Sequence, residues 1–149
     1  MKLPTVAILS DLDGTLIDSK ASVIAAFRWW ANLRGLPSDT VRRIPFGRTS
    51  TDAAAVLARH LDCVTEGGLL DRRQEEDTHG VVALEGAREL LSVHQPIAVV
   101  TSCPRPLALA RLRAAGLPVP SHLVTPEDWT RGKPDPEPYL RGEIGRAHV

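Results

Sequence analysis

Short apolar runs alternate with amphipathic stretches along this chain of 149 residues. Thr5 to Ser10 (Thr-Val-Ala-Ile-Leu-Ser) is apolar and partly β-branched, and it stops at Asp11-Leu12-Asp13-Gly14. Unbroken apolarity over so few residues predicts a strand buried on both faces, as in a parallel sheet. Pro96 to Val100, ending at Thr101-Ser102, predicts a second such strand, and His122 to Thr125 a third. From Ala21 to Arg34 the apolar residues Ile24, Phe27, Ala31 and Leu33 fall roughly on one helical face, closed by Gly35 and Pro37. Thr49 to Asp52 offers N-caps for a helix to about His60, and Glu66 to about Asp77 is polar and helix-compatible. Gly86 to Val93 and Pro104 to Ala115 predict two more helices, the second with Pro in its first turn and Gly116 at its C-terminal cap. Strand–helix–strand–helix–strand is the order of a parallel α/β sheet. Helical patterns from Ser19 to Thr78 interrupt it after the first strand. The domain expectation is a core from residues 1–18 and 79–142 with an inserted helical unit at 19–78.

Composition narrows the partners. Lys+Arg 18 against Asp+Glu 18 gives no electrostatic footprint for nucleic acid or an anionic membrane. No apolar run nears the roughly 20 residues of a spanning helix. Met1-Lys2-Leu3-Pro4 reaches an acidic cluster too early for a signal peptide, and Cys63 and Cys103 cannot make a disulfide framework. A soluble, cytoplasmic protein is expected; nothing in the pattern sets an oligomeric state. Lys2, Lys20 and Lys133 are the only lysines, so Lys133 stands alone in the C-terminal half.

Candidate chemistry gathers where the strands end, which is where open α/β sheets bind ligands. Asp11 and Asp13, at i and i+2, project on one side if extended geometry continues. Close like charges resist joint ionisation unless a cation intervenes, and oxygen-seeking Mg²⁺ suits the pair. Asp13-Gly14 also reads as a plain turn. Thr101 and Ser102 supply hydroxyls and backbone N–H groups beside the next helix N-terminus, an anion site or simply a cap. Lys133, in Gly132-Lys-Pro-Asp-Pro136, sits in a loop stiffened by prolines. An acid pair, a hydroxyl and a lysine suffice for phosphoryl transfer through an aspartyl-phosphate. Lys133, Thr101 and Mg²⁺ would stabilise charge while Asp13 moves the proton.

The string Asp11-Leu-Asp-Gly-Thr15, with Thr101 and with Gly-Lys133-Pro-Asp-Pro, resembles the three successive motifs of the haloacid dehalogenase superfamily. The resemblance implies a Rossmann-like parallel sheet, with Asp11 as nucleophile and Mg²⁺ ligand. It makes Asp13 the acid/base, contacting the metal through its carbonyl, with Thr101 and Lys133 on the phosphoryl group. The 19–78 insertion resembles the helical cap of the subgroup holding sugar-phosphate and glycerol-phosphate phosphatases and β-phosphoglucomutase. Phe46-Gly47-Arg48-Thr49 falls where relatives often carry His-Gly-Arg, so Gly47 and Arg48 become substrate-binding candidates, although Arg48 also reads as a surface arginine. Ser10, Phe46, His79, Glu85 and Cys103-Pro104 depart from the family's usual residues.

The implied function is a Mg²⁺-dependent phosphatase for a small sugar or polyol phosphate. A phosphomutase of the β-phosphoglucomutase kind, a receiver-like signalling domain and a non-catalytic remnant are the alternatives. The family's fourth motif, an acidic pair on a further strand beside the first, is not found before Val149. Glu143-Ile-Gly-Arg-Ala-His-Val149 can be back-translated into the start of a sequencing adapter. The expectation is therefore a sheet lacking its last strands, a non-native tail at 143–149, poor stability and little activity.

Overall fold

The computed structural model describes residues 7–93 and 96–144. Three strands, β1 (Ile8–Ser10), β4 (Ile97–Val100) and β5 (His122–Val124), form a parallel sheet in the order β1-β4-β5. β4 is central and buried along its whole length, which is what its all-apolar sequence predicts. The registers pair Ser10 with Val99 and Val100 with Val124. All three strands therefore deliver their following residues, Asp11, Thr101 and Thr125, to one edge. The expected first strand is seen from Ile8 onward; its first two residues, Thr5 and Val6, lie outside the described residues.

A second, two-stranded ladder pairs β2 (Ile17–Asp18) antiparallel with β3 (Val82–Ala83). Sequence pattern does not announce it, since each strand is only two residues long. It ties together the two ends of the helical segment. That segment contains α1 (Lys20–Arg34), a 3₁₀ turn (Ser38–Arg43), α2 (Ser50–Leu57) and α3 (Cys63–Glu76). Thr49 caps α2 by accepting from the Asp52 N–H, and Asp62 caps α3 by accepting from the Thr65 N–H. The Asp62 cap starts α3 three residues before the expected Glu66. α1 buries Ala26, Phe27, Trp30 and Ala31, whereas Leu33 is 52% exposed. Leu33 lies about 120° round the helix from Phe27, so Trp30 takes the place expected of it.

Buried apolar residues form two clusters. One lies between the sheet and α5 (Arg105–Ala114), drawing on Leu12, Leu16, Val99, Leu107 and Leu112. The other joins α1, α2 and α3 around Phe27, Trp30, Ala54 and Leu70. In the second, the buried Glu66 carboxylate accepts from Trp30 Nε1 at 2.6 Å and pairs with Arg34 at 2.9 Å. Hydrogen bonds and charge from Arg34 hold that carboxyl below its usual range despite burial. α4 (Ala87–Leu91) is shorter than the Gly86–Val93 expected. The last helix, α6 (Glu137–Ile144), packs on the sheet so closely that a Cβ on Gly142 would meet Leu9 Cδ2 at 3.1 Å. Helical backbone thus includes Glu143 and Ile144, the first residues of the expected tail; 145–149 lie outside the described residues.

Two adjacent glycines of α3 give opposite expectations. A Cβ on Gly67 would sit 2.7 Å from Thr51 Cα, where only backbone could give way. Gly67→Ala should lower the unfolding free energy by about 1–3 kcal/mol. Gly68 faces open space, so Gly68→Ala should raise it by up to about 1 kcal/mol through helix propensity. Urea unfolding of the two variants checks the pair; equal effects would contradict the packing described.

Candidate active site

β1 ends at Ser10, and a turn over Leu12 to Ile17 follows, with the Leu12 carbonyl accepting from the N–H groups of Leu16 and Ile17. Gly14 takes φ 77° there, a conformation that favours glycine. Extended geometry does not continue past the strand, and the two carboxylates find different partners.

Asp11 Oδ1 accepts from the Leu12 N–H at 2.7 Å and pairs with Lys133 Nζ at 2.9 Å. Among the described residues no donor reaches its Oδ2. Lys133 also donates to the Val100 carbonyl at 2.9 Å and lies over the Tyr139 ring. Its loop is pinned by Glu137, which accepts from the N–H groups of Thr130 and Arg131. The lone lysine thus reaches across from the segment after β5 to the ends of β1 and β4.

Asp13 is enclosed by donors. Its Oδ1 accepts from Ser19 Oγ at 2.6 Å and from Arg111 Nη1 at 2.8 Å. Its Oδ2 accepts from Cys103 Sγ at 3.0 Å and Thr101 Oγ1 at 3.4 Å. Thr101 is fully buried, and its hydroxyl also accepts from the Cys103 N–H. Ser102 Oγ donates instead to the Gly47 carbonyl at 2.8 Å, bridging the turn after β4 to the loop before α2. Arg48 is exposed. Asp11, Asp13, Thr101 and Lys133 therefore converge, while Gly47 and Arg48 stand on the helical side and Ser102 reaches across to them.

Arg111 is the residue that sequence reading missed. It lies on the buried face of α5 with Leu107, Ala108 and Leu112, and an arginine on an apolar face was its signal. Its Nη1 reaches Asp13 and Cys103, and its Nη2 donates to Gln74 Oε1 of α3 at 2.6 Å. Its Nε is buried with no partner among the described residues. Burial opposes its charge, but the hydrogen bond to Cys103 and the carboxylates of Asp13 and Asp71 outweigh that effect. Burial likewise raises the Cys103 thiol far above its usual range, so it stays protonated and donates.

Asp11, Asp13, Gly47, Arg48, Ser102 and Arg111 line a cavity of about 430 Å³ between the sheet edge and the helices, a size suited to a small ligand; Lys133 stands beside it through Asp11 and Thr101 through Asp13. On its helical wall Asp71 Oδ1 accepts from Ser50 Oγ at 2.6 Å. Burial pushes the Asp71 carboxyl from 3.8 up to about 6; the Ser50 bond and Arg111 act in the opposite direction, and Glu75 and Glu127 act with burial.

The sequence pattern of haloacid dehalogenase-like hydrolases matches residues 8–142. The chain belongs to that family. This haloacid dehalogenase-like chain is 40% identical over 141 residues to hexitol phosphatase A of Escherichia coli, covering 90% of the chain and 65% of the relative. It is 38% identical to validoxylamine A 7'-phosphate phosphatase of Streptomyces hygroscopicus subsp. limoneus, covering 88% of the chain and 66% of that protein. A hydrolase from Pseudomonas syringae superimposes with a TM-score of 0.78 at 26% identity, over 97% of this chain and 71% of its own. The chain thus spans just under two thirds of the length of the curated relatives it matches.

The raised Asp71 carboxyl makes stability depend on pH. Between pH 4 and 6 the unfolded chain has lost this proton and the folded one has kept it. The Asp71 contribution to stability therefore falls as pH rises through that window. Asp71→Asn should stabilise the protein more, relative to wild type, at pH 7.5 than at pH 4.5. Urea unfolding at the two values measures this, and an equal difference at both would contradict it.

Proposed function

We propose that this protein is a phosphatase that hydrolyses a small sugar or polyol phosphate through an aspartyl-phosphate on Asp11. The carrying observation is the Asp11–Lys133 pair. One carboxylate oxygen is held by a cation and a backbone N–H, and the other is left without a donor beside a ligand-sized cavity. Names of the relatives, a hexitol phosphatase and a phosphatase of a 7'-phosphate, support the substrate class. In this reading residues 1–18 and 79–142 are the catalytic core and 19–78 is the cap that covers it.

In the first step Asp11 Oδ2 bonds to phosphorus as the bond from phosphorus to the ester oxygen breaks. Asp13 passes a proton to the leaving alcohol. In the second step Asp13 takes a proton from water as its oxygen bonds to phosphorus. The Asp11–phosphorus bond breaks and inorganic phosphate leaves, restoring both carboxyl groups. Lys133 offsets charge on the phosphoryl oxygens. Ser19, Thr101 and Arg111 hold Asp13 in place, and Arg48 and Gly47 meet the substrate from the cap side.

The donors suit magnesium, a hard cation that binds through one or two carboxylates, water and substrate phosphate. Among the described residues no group of three or more His, Cys, Asp or Glu side chains comes together. Asp11 by its carboxylate and Asp13 by its backbone carbonyl, since donors already fill the Asp13 carboxylate, would hold the ion from the protein side, and it would supply positive charge to the phosphoryl oxygens. The expected cellular setting is cytoplasmic; no helix among the described residues is long and apolar enough to cross a membrane.

Phosphate release from a panel of sugar and polyol phosphates tests the reading. Asp11→Asn should lower turnover by at least about 10³-fold, since it removes the nucleophile. Lys133→Met should lower it by about 10²–10³-fold, as for the loss of a charge-stabilising donor. Wild-type turnover in Asp11→Asn would overturn the mechanism.

A further inference from the structure

We propose that Asp71 is a specificity-determining residue: its carboxylate binds hydroxyls on the substrate's carbon chain and excludes substrates carrying a second anionic group. The inference rests on the phosphatase reading and extends it from the phosphoryl group to the remainder of the substrate.

The cavity has two unlike ends. At the sheet edge Lys133 stands beside Asp11, matched to a phosphoryl group. The helical wall presents no comparable cation. Arg111 is only 3% exposed, and both its Nη atoms are committed to Asp13, Cys103 and Gln74. Lys20 and Arg48 line the cavity but are exposed, where attraction between charges is weak. What the wall offers is Asp71. Ser50 fixes its Oδ1, and Gln74 Nε2, 3.4 Å from Ser50 Oγ, backs that contact. Among the described residues no donor reaches Asp71 Oδ2.

A half-buried carboxylate oxygen without a donor has a definite chemical appetite. Hydroxyl groups donate to it, and a carboxylate or second phosphate is repelled by it. Burial already disfavours the ionised form, so hydroxyls that donate to it relieve a real cost, while a further anion adds to one. Asp71 also borders a second cavity of about 300 Å³ reaching toward Trp129 and Thr130. The two cavities share Thr49, Asp71 and Ser102 in their linings.

The test compares kcat/KM for sorbitol 6-phosphate with that for phosphoglycolate, and includes p-nitrophenyl phosphate as a substrate lacking both hydroxyls and a second anion. Wild type should favour sorbitol 6-phosphate. Asp71→Asn, which keeps the shape and the Ser50 contact, should reduce that preference by about tenfold or more. The change should be carried mainly by KM, rising for the polyol and falling for phosphoglycolate. Asp71→Glu should keep the wild-type preference, which separates charge from a structural role. A preference in Asp71→Asn within about twofold of wild type would overturn the inference alone, provided wild type cleaves p-nitrophenyl phosphate. If wild type releases phosphate from none of the three, the phosphatase reading fails and Asp71's role falls with it.

Discussion

Parallel pairing is the constraint on which the rest depends. Strands that run in the same direction must all end at the same edge, and here β1, β4 and β5 end level with one another. Asp11, Thr101 and the segment leading to Lys133 are far apart in sequence yet arrive together for that reason alone. The burial of β4 on both faces fixes the register, because a slip of one residue would exchange which side chains meet α5 and which meet α6. The carboxylate–lysine pair inherits its geometry from the strand pairing together with the Glu137 contacts that pin the lysine's loop.

Arg111 adds a second constraint, electrostatic rather than topological. A guanidinium buried to this degree needs matched acceptors, and both Nη atoms have them, although Nε has none among the described residues. Its acceptors come from three places: the turn after β1, the turn after β4 and helix α3. It holds Asp13 and simultaneously binds the sheet side to the helical segment. A single side chain therefore couples the position of the acid/base candidate to the position of the cavity wall that carries Asp71 and Gln74.

Much of this was legible in the chain itself. Apolar runs located all three sheet strands, and caps such as Thr49 and Gly35 located helix ends. Asp11, Asp13, Thr101 and Lys133 stood out because strand ends and rare lysines are visible in one dimension. Asp71, Gln74 and Ser19 did not, since ordinary polar residues on helices or turns acquire meaning only from what packs opposite them. Arg111 was readable in principle, as a charge on the apolar face of α5. Leu33 shows the converse: a hydrophobic residue was assigned inward, but helical geometry turned it outward. The β2–β3 ladder was out of reach because two residues carry no periodicity.

That ladder has a consequence for chain entropy. The Ile17–Asp18 and Val82–Ala83 pairs bring the ends of the helical segment together, so the segment's length places little demand on the sheet. Closing such a loop costs a free energy that grows only with the logarithm of its length, about 0.6 kcal/mol for each doubling. A segment of quite different size could be grafted between Asp18 and Val82 without asking the strands to move. The sheet edge and the helical wall facing it are joined by four backbone-paired residues and by side chains, Arg111 and Ser102 foremost, that reach across.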